Sequence, residues 1–229
     1  MNDNQHLSSQ YNEELAQLRT QVLQMGGLVE TQVSAAMDAY ISSQSSQLAD
    51  IVAADQKINS LEKNIDDNCA HIIAKRQPTA SDLRLVLGII KIVTDLERMG
   101  DEAKKIAKGT RRIHDAGQIP IQHSVGIHHL AEVALNLVRQ ALDAFARLDA
   151  TQAQVVIRAD NEVDPEFKSI LRQFITPLME DPRTITVAIE IIAIARAIER
   201  IGDHAKNIVE QVVFVVEGRD IRHLEESAL

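Results

Sequence analysis

The chain has 229 residues, enough for one large core or two of ordinary domain size, and its 3% aromatics, absent Trp, nine Gly and five Pro suit helices better than sheets. A net charge of −9 argues against a nucleic-acid surface, and the single cysteine, Cys69, excludes an internal disulfide framework and fits a reducing compartment. No apolar run approaches the ~20 residues of a membrane span, and the polar start is no signal peptide, so a soluble cytoplasmic protein is expected.

Six helices are predicted in chain order. The first covers about 11–43, where Leu15, Leu18, Val22, Met25, Val29 and Val33 recur at steps of three and four. Gly26-Gly27 inside it reads equally as a break or as the close approach of another backbone. A Ser/Gln-rich turn at 42–47 leads to a second helix ending near Arg76, with Ile51, Asp55, Ile58, Glu62 and Ile65 on one stripe, so acidic residues occupy inward positions. After the turn 77–81, where Thr79 or Ser81 can cap, a third helix runs over about 82–114. Gly109, Gly117 and Pro120 loosen the chain over 109–122 and mark the division into a first unit, 1–116, and a second, 117–229. The second unit repeats the plan. Its helices fall at about 124–148 and 151–176, then from the cap Asp181-Pro182 to about 217, with Gly218 as the stop. The fold class is therefore all-α, two tandem three-helix bundles of antiparallel neighbours.

The third and sixth helices carry the same word. Leu96-Glu-Arg-Met-Gly-Asp101-Glu-Ala-Lys-Lys-Ile106 returns as Ile198-Glu-Arg-Ile-Gly-Asp203-His-Ala-Lys-Asn-Ile208. Antiparallel hairpin geometry sets Asp55 level with Asp101 and Asn59 level with Glu97, about a turn centred on Pro78. In the second unit the same geometry sets Asp160 level with Asp203 and Asp164 level with Glu199. Residues four apart share a helix face, so each unit can gather three or four oxygen ligands in one patch. Like charges so placed repel, and divalent cations remove the repulsion. All-oxygen sets suit hard or borderline ions.

The plainer reading stands beside it. Glu-x-x-x-Asp is common on solvated helices, and Arg98, Lys104, Lys105, Arg200 and Lys206 are near enough for ordinary surface ion pairs. Asp164-Pro165 resembles a helix cap followed by a first-turn proline, which would start the fifth helix late or kink it. Glu62 and Asp66 have no counterpart in the second unit and read as solvated or inter-subunit; His204 adjoins Asp203 but points about 100° away, which leaves it at most an outer partner. His123, His128 and His129 read as solvated polar residues, and Cys69 as a small core residue. A di-iron carboxylate enzyme needs Glu-x-x-His on two helices, and no Glu here has His at its third following position. No phosphate loop, nucleophile elbow or Cys/His arrangement appears either, so a non-enzymatic binding or regulatory module is expected.

With these motifs the chain resembles the PhoU family of bacterial phosphate-signalling regulators. Further matches are Val22-Leu-Gln-Met-Gly-Gly-Leu-Val-Glu30, Asp55-Gln-Lys-Ile-Asn-Ser-Leu-Glu62 and Ser81-Asp-Leu-Arg-Leu-Val86. The resemblance implies a cytoplasmic negative regulator of phosphate uptake, acting between the phosphate ABC transporter's nucleotide-binding subunit and a phosphate-sensing histidine kinase. It implies a homodimer and metal on the paired motifs (iron, zinc, manganese or magnesium), with no organic cofactor. It implies no nucleic-acid partner and no direct membrane insertion. Carried onto this sequence, those motifs are Glu97 and Asp101, Glu199 and Asp203, Asp160 and Asp164, and Asp55, while Asn59 departs from the acidic pattern. The alternative is a metal-binding or storage protein without a signalling role.

Overall fold

The computed structural model describes residues 3–42, 48–116, 124–160, 163–180 and 185–222, and every regular element among them is helical. The helices are α1 (Asp3–Ser42), α2 (Leu48–Arg76), α3 (Ala80–Asp115), α4 (Ser124–Arg147), α5 (Ala150–Asp160), α6 (Val163–Glu180) and α7 (Ile185–Glu217). The all-α plan of two repeats holds, with the predicted fifth helix carried by α5 and α6. Pro165 is the third residue of α6, within the first turn, where a missing N–H leaves no intrahelical bond unmade. Residues 43–47 of the predicted turn 42–47, and the predicted helix start at Asp181-Pro182, lie outside the described residues.

The helix ends follow local chemistry. Gln77, at φ +49°, leaves α2 in the left-handed region just before Pro78. Thr79 stands at the N-cap of α3 with an extended backbone, yet its hydroxyl makes no capping bond, so it caps by position only. At the start of α5, Asp149 Oδ1 accepts the backbone N–H groups of Thr151 at 2.9 Å and Gln152 at 3.1 Å, an N-cap missed in the sequence. Gly218 closes α7 at φ +72°.

Helices α1, α3, α7 and α4 form a ring of packed neighbours; α2 lies across α1 and α3, while α5 and α6 lie across α4 and α7. The apolar stripes meet in one continuous core that includes Leu18, Met25, Leu96, Phe145, Ile194 and Ile201. At Gly26 a methyl group would collide with the Leu142 side chain, so α1 runs through unbroken and the close neighbour is a side chain of α4, not a backbone. Gly109 is likewise buried inside α3, which continues to Asp115, so the chain does not loosen there.

The two repeats meet along antiparallel α3 and α7. Gly88 lies against Val215, Asp95 against His204, and Gly109 against Ile194. Polar contacts tie this seam, among them the ion pair of Arg112 with Glu190 at 2.7 Å. His204 Nδ1 stands 2.9 Å from Asp95 Oδ1, Asn207 Nδ2 donates to the same oxygen at 3.1 Å, and Arg200 reaches buried Glu102 at 3.1 Å. Asp95 and Glu102 are buried carboxylates that periodicity does not flag; Asp95 takes its partners from α7, and Glu102 is met by Arg200 across the seam and by Lys105 on its own helix.

Candidate functional site

On the α2–α3 hairpin Asp55 and Asp101, predicted to lie level, are joined through one side chain. Lys104 extends one turn beyond Asp101 and bridges the helices, with Nζ 2.6 Å from Asp101 Oδ1 and 2.7 Å from Asp55 Oδ2. Asp55 is buried at 5% exposure, and Asn59 Nδ2 donates to its Oδ2 at 3.4 Å. Burial opposes charging of Lys104, but hydrogen bonds to Asp101 and Asp55 outweigh it and hold the ammonium pKa above its ordinary value. Lys104 is thus more than the surface partner that sequence spacing offers.

Glu97 is half-buried on the same face. Burial, followed by the charges of Asp101 and Asp55, raises its carboxyl above the usual range. Glu62 joins it: burial, then Glu97 and Asp66, push Glu62 up as well. Sequence spacing misses Glu62 as a member of the patch, although it lies one turn along α2 from Asn59 on the same stripe.

The acidic face therefore costs stability. A carboxyl raised in the folded chain holds a proton that the unfolded chain releases, so its contribution falls as pH rises from about 4.5 through the raised folded value. The Glu97→Gln protein is expected to melt about 1 °C higher than wild type at pH 7, a few tenths of a kcal/mol, with the gain shrinking as the pH is lowered into the carboxylate range. Thermal melts at pH 7 and pH 4 check this; a lower melting point at pH 7 would contradict it.

The second patch is built on α5, α6 and α7. Asp160 is buried at 8% exposure and Glu199 at 5%, while Asp203 is exposed. Lys206 Nζ stands 3.4 Å from Asp160 Oδ2, and Arg196 Nη1 bonds Glu199 Oε1 at 2.8 Å. At Gly202 a methyl group would stand 3.4 Å from Asp160 Oδ1 and 3.6 Å from Val163, ordinary contact distances, so α7 packs closely there without demanding glycine. Gly100 faces Gln32 and Ile58 instead, and a methyl group added there would stand 3.2 Å from each. The side chain of Asp164 lies outside those described.

Among the described residues no three His, Cys, Asp or Glu side chains stand close enough to hold a metal ion together. The first patch nonetheless has the chemistry for one. Asp55 Oδ1 and Asn59 Oδ1 are buried and meet no hydrogen-bond donor among the described residues. Buried oxygens without a donor are satisfied by a hard cation, so this donor set fits an oxygen-ligated divalent ion. His204 turns away from Asp203 to Asp95, His128 lies exposed beside Glu132, and Cys69 is a buried core residue.

Comparison with known proteins agrees over almost the whole chain. The PhoU domain family matches residues 22–110 and 127–212. The phosphate-specific transport system accessory protein PhoU homolog of Pseudomonas putida is 47% identical over 219 residues, 96% of this chain and 85% of that protein. The phosphate-specific transport system accessory protein PhoU of Escherichia coli K12 is 42% identical over 224 residues, 98% of this chain and 92% of that protein. The crystal structure of PhoU from Pseudomonas aeruginosa superposes with a TM-score of 0.88 at 45% identity, covering 91% of this chain and 100% of that one. The phosphate transport system regulatory protein PhoU from Streptococcus pneumoniae gives 0.84 at 28% identity, covering 92% and 98%.

Proposed function

This chain belongs to the PhoU family, and from that membership we propose that it is a non-enzymatic negative regulator of phosphate uptake and phosphate-responsive signalling. The observation that carries the reading is whole-chain similarity to phosphate transport accessory proteins, with the paired acidic word kept on both central helices. In this reading the protein acts in the cytoplasm as a homodimer, between the transporter's nucleotide-binding subunit and a phosphate-sensing histidine kinase. No helix among the described residues is long and apolar enough to cross a membrane, so contact with a membrane transporter would come from its cytoplasmic parts.

The acidic patches are the proposed working surfaces. Asp55, Asn59, Glu97 and Asp101 would hold one divalent or transition-metal ion or cluster, and Asp160, Asp164, Glu199 and Asp203 the other. Bound metal would supply charge neutralisation and a rigid positive centre on an otherwise acidic face. Without metal, the negative face complements basic regions of a partner, and the carboxylates that the metal does not neutralise would do so in its presence.

Two measurements test the reading. In cells lacking this protein, phosphate-responsive genes are expected to be expressed even in high phosphate; continued repression would count against regulation. In the Glu97→Gln/Asp101→Asn and Glu199→Gln/Asp203→Asn proteins, metal content by elemental analysis and affinity for the transporter subunit and the kinase are expected to fall. Unchanged values for both would remove the patches from the mechanism.

A further inference from the structure

The first patch already contains a cation. Lys104 Nζ lies 2.6 Å from Asp101 and 2.7 Å from Asp55, between the two carboxylates that lie level across the hairpin. An ion bridging those carboxylates would have to stand in the same place. Asp55 Oδ1, buried and without a donor among the described residues, is a further oxygen there that the ammonium leaves unused. A single ammonium also leaves the charge of Asp55, Glu97 and Asp101 incompletely balanced.

We propose that Lys104 is a resident counter-cation that a divalent metal ion must displace, so that loading of the first patch is a competition between the ion and the protein's own ammonium. The proposal rests on the metal reading of that patch given above and adds its regulation. With metal absent, Lys104 ties α2 to α3 across Asp55. With metal present, the ammonium swings into solvent, for which a side chain already 23% exposed has room. The neighbouring Lys105 gives a natural comparison. It carries the same charge, but it points to Glu102 at 2.8 Å, away from Asp55.

The test is titration of Mn²⁺ by calorimetry into the full chain carrying Glu199→Gln/Asp203→Asn, so that only the first patch is read. Adding Lys104→Gln is expected to tighten Mn²⁺ binding about tenfold, the net effect of two charge-assisted contacts, with Asp101 and Asp55, that no longer have to be broken. Adding Lys105→Gln instead is expected to change affinity by less than about twofold, as a charge paired with Glu102 outside the site should. Equal tightening by both substitutions would trace the effect to overall charge and overturn displacement. Equal Mn²⁺ affinity with and without the Lys104→Gln substitution would overturn the proposal while leaving the metal reading intact. Binding by none of the proteins would overturn both. A second measurement needs no substitution at this position. Under single-hit acetylation read by peptide mass spectrometry, saturating Mn²⁺ is expected to raise the reactivity of Lys104 several-fold; an unchanged or lower rate would overturn the proposal.

Discussion

Replacing Lys104 with glutamine is expected to destabilise the metal-free protein by about 2–3 kcal/mol. The reason lies on the other helix. Asp55 is buried, and apart from the long 3.4 Å contact with Asn59 its charge is met by Lys104. Removing one partner of a buried pair leaves the other as an uncompensated charge, which costs about 3–5 kcal/mol when both are fully enclosed. The side chain of Lys104 is 23% exposed, so water reaches the gap and the expected cost falls below that range. The pairing makes a sharper prediction than the single loss. Adding Asp55→Asn to Lys104→Gln removes the stranded charge and should recover most of the stability. Urea denaturation of wild type, both single variants and the double variant measures the coupling. Additive losses would show that the two side chains do not depend on each other.

Ile194→Ala is expected to cost about 3 kcal/mol, because it opens a cavity in the α3–α7 seam that joins the repeats. Ile194 is 1% exposed and fills the notch left by Gly109, where a methyl group would stand 3.1 Å from its Cγ1 and 3.3 Å from its Cδ1. The same geometry predicts a reversal at Gly109. In wild type, Gly109→Ala must push Ile194 aside, and that crowding offsets the gain in helix propensity of roughly 1 kcal/mol. In the Ile194→Ala background the methyl enters empty space, so Gly109→Ala should stabilise by about 1 kcal/mol or more. Equal effects of Gly109→Ala in both backgrounds, measured by denaturation, would refute this packing.

The acidic constellation is legible in the sequence in part. Spacing at three and four places side chains on a helix face, and hairpin geometry levels one helix with the next. For that reason Asp55, Glu97 and Asp101 can be associated before any coordinates, and so can Asp160, Glu199 and Asp203. Glu62 reads as solvated or inter-subunit for want of a counterpart in the second repeat, whereas its half-buried place beside Glu97 depends on how closely α2 packs on α3. Lys104 reads from spacing only as a surface ion-pair partner. Its reach to both Asp101 and Asp55 depends on side-chain direction and interhelical distance, which periodicity does not carry.

By itself the sequence determined the helices, their inward faces, the twofold repeat and the family, because all of these are written in local periodicity and in motif spacing along one chain. Tertiary structure alone decided the cross-helix partners of the buried carboxylates. Asp95 meets His204 and Asn207, and Glu102 meets Arg200, only because α3 and α7 pack antiparallel. It also decided that Gly26 makes room for the Leu142 side chain and is not a break, since the space beside a glycine is set by the neighbouring helix. At the acidic word on α3, the carboxylates came from the sequence, and the ammonium held between two of them came from the fold.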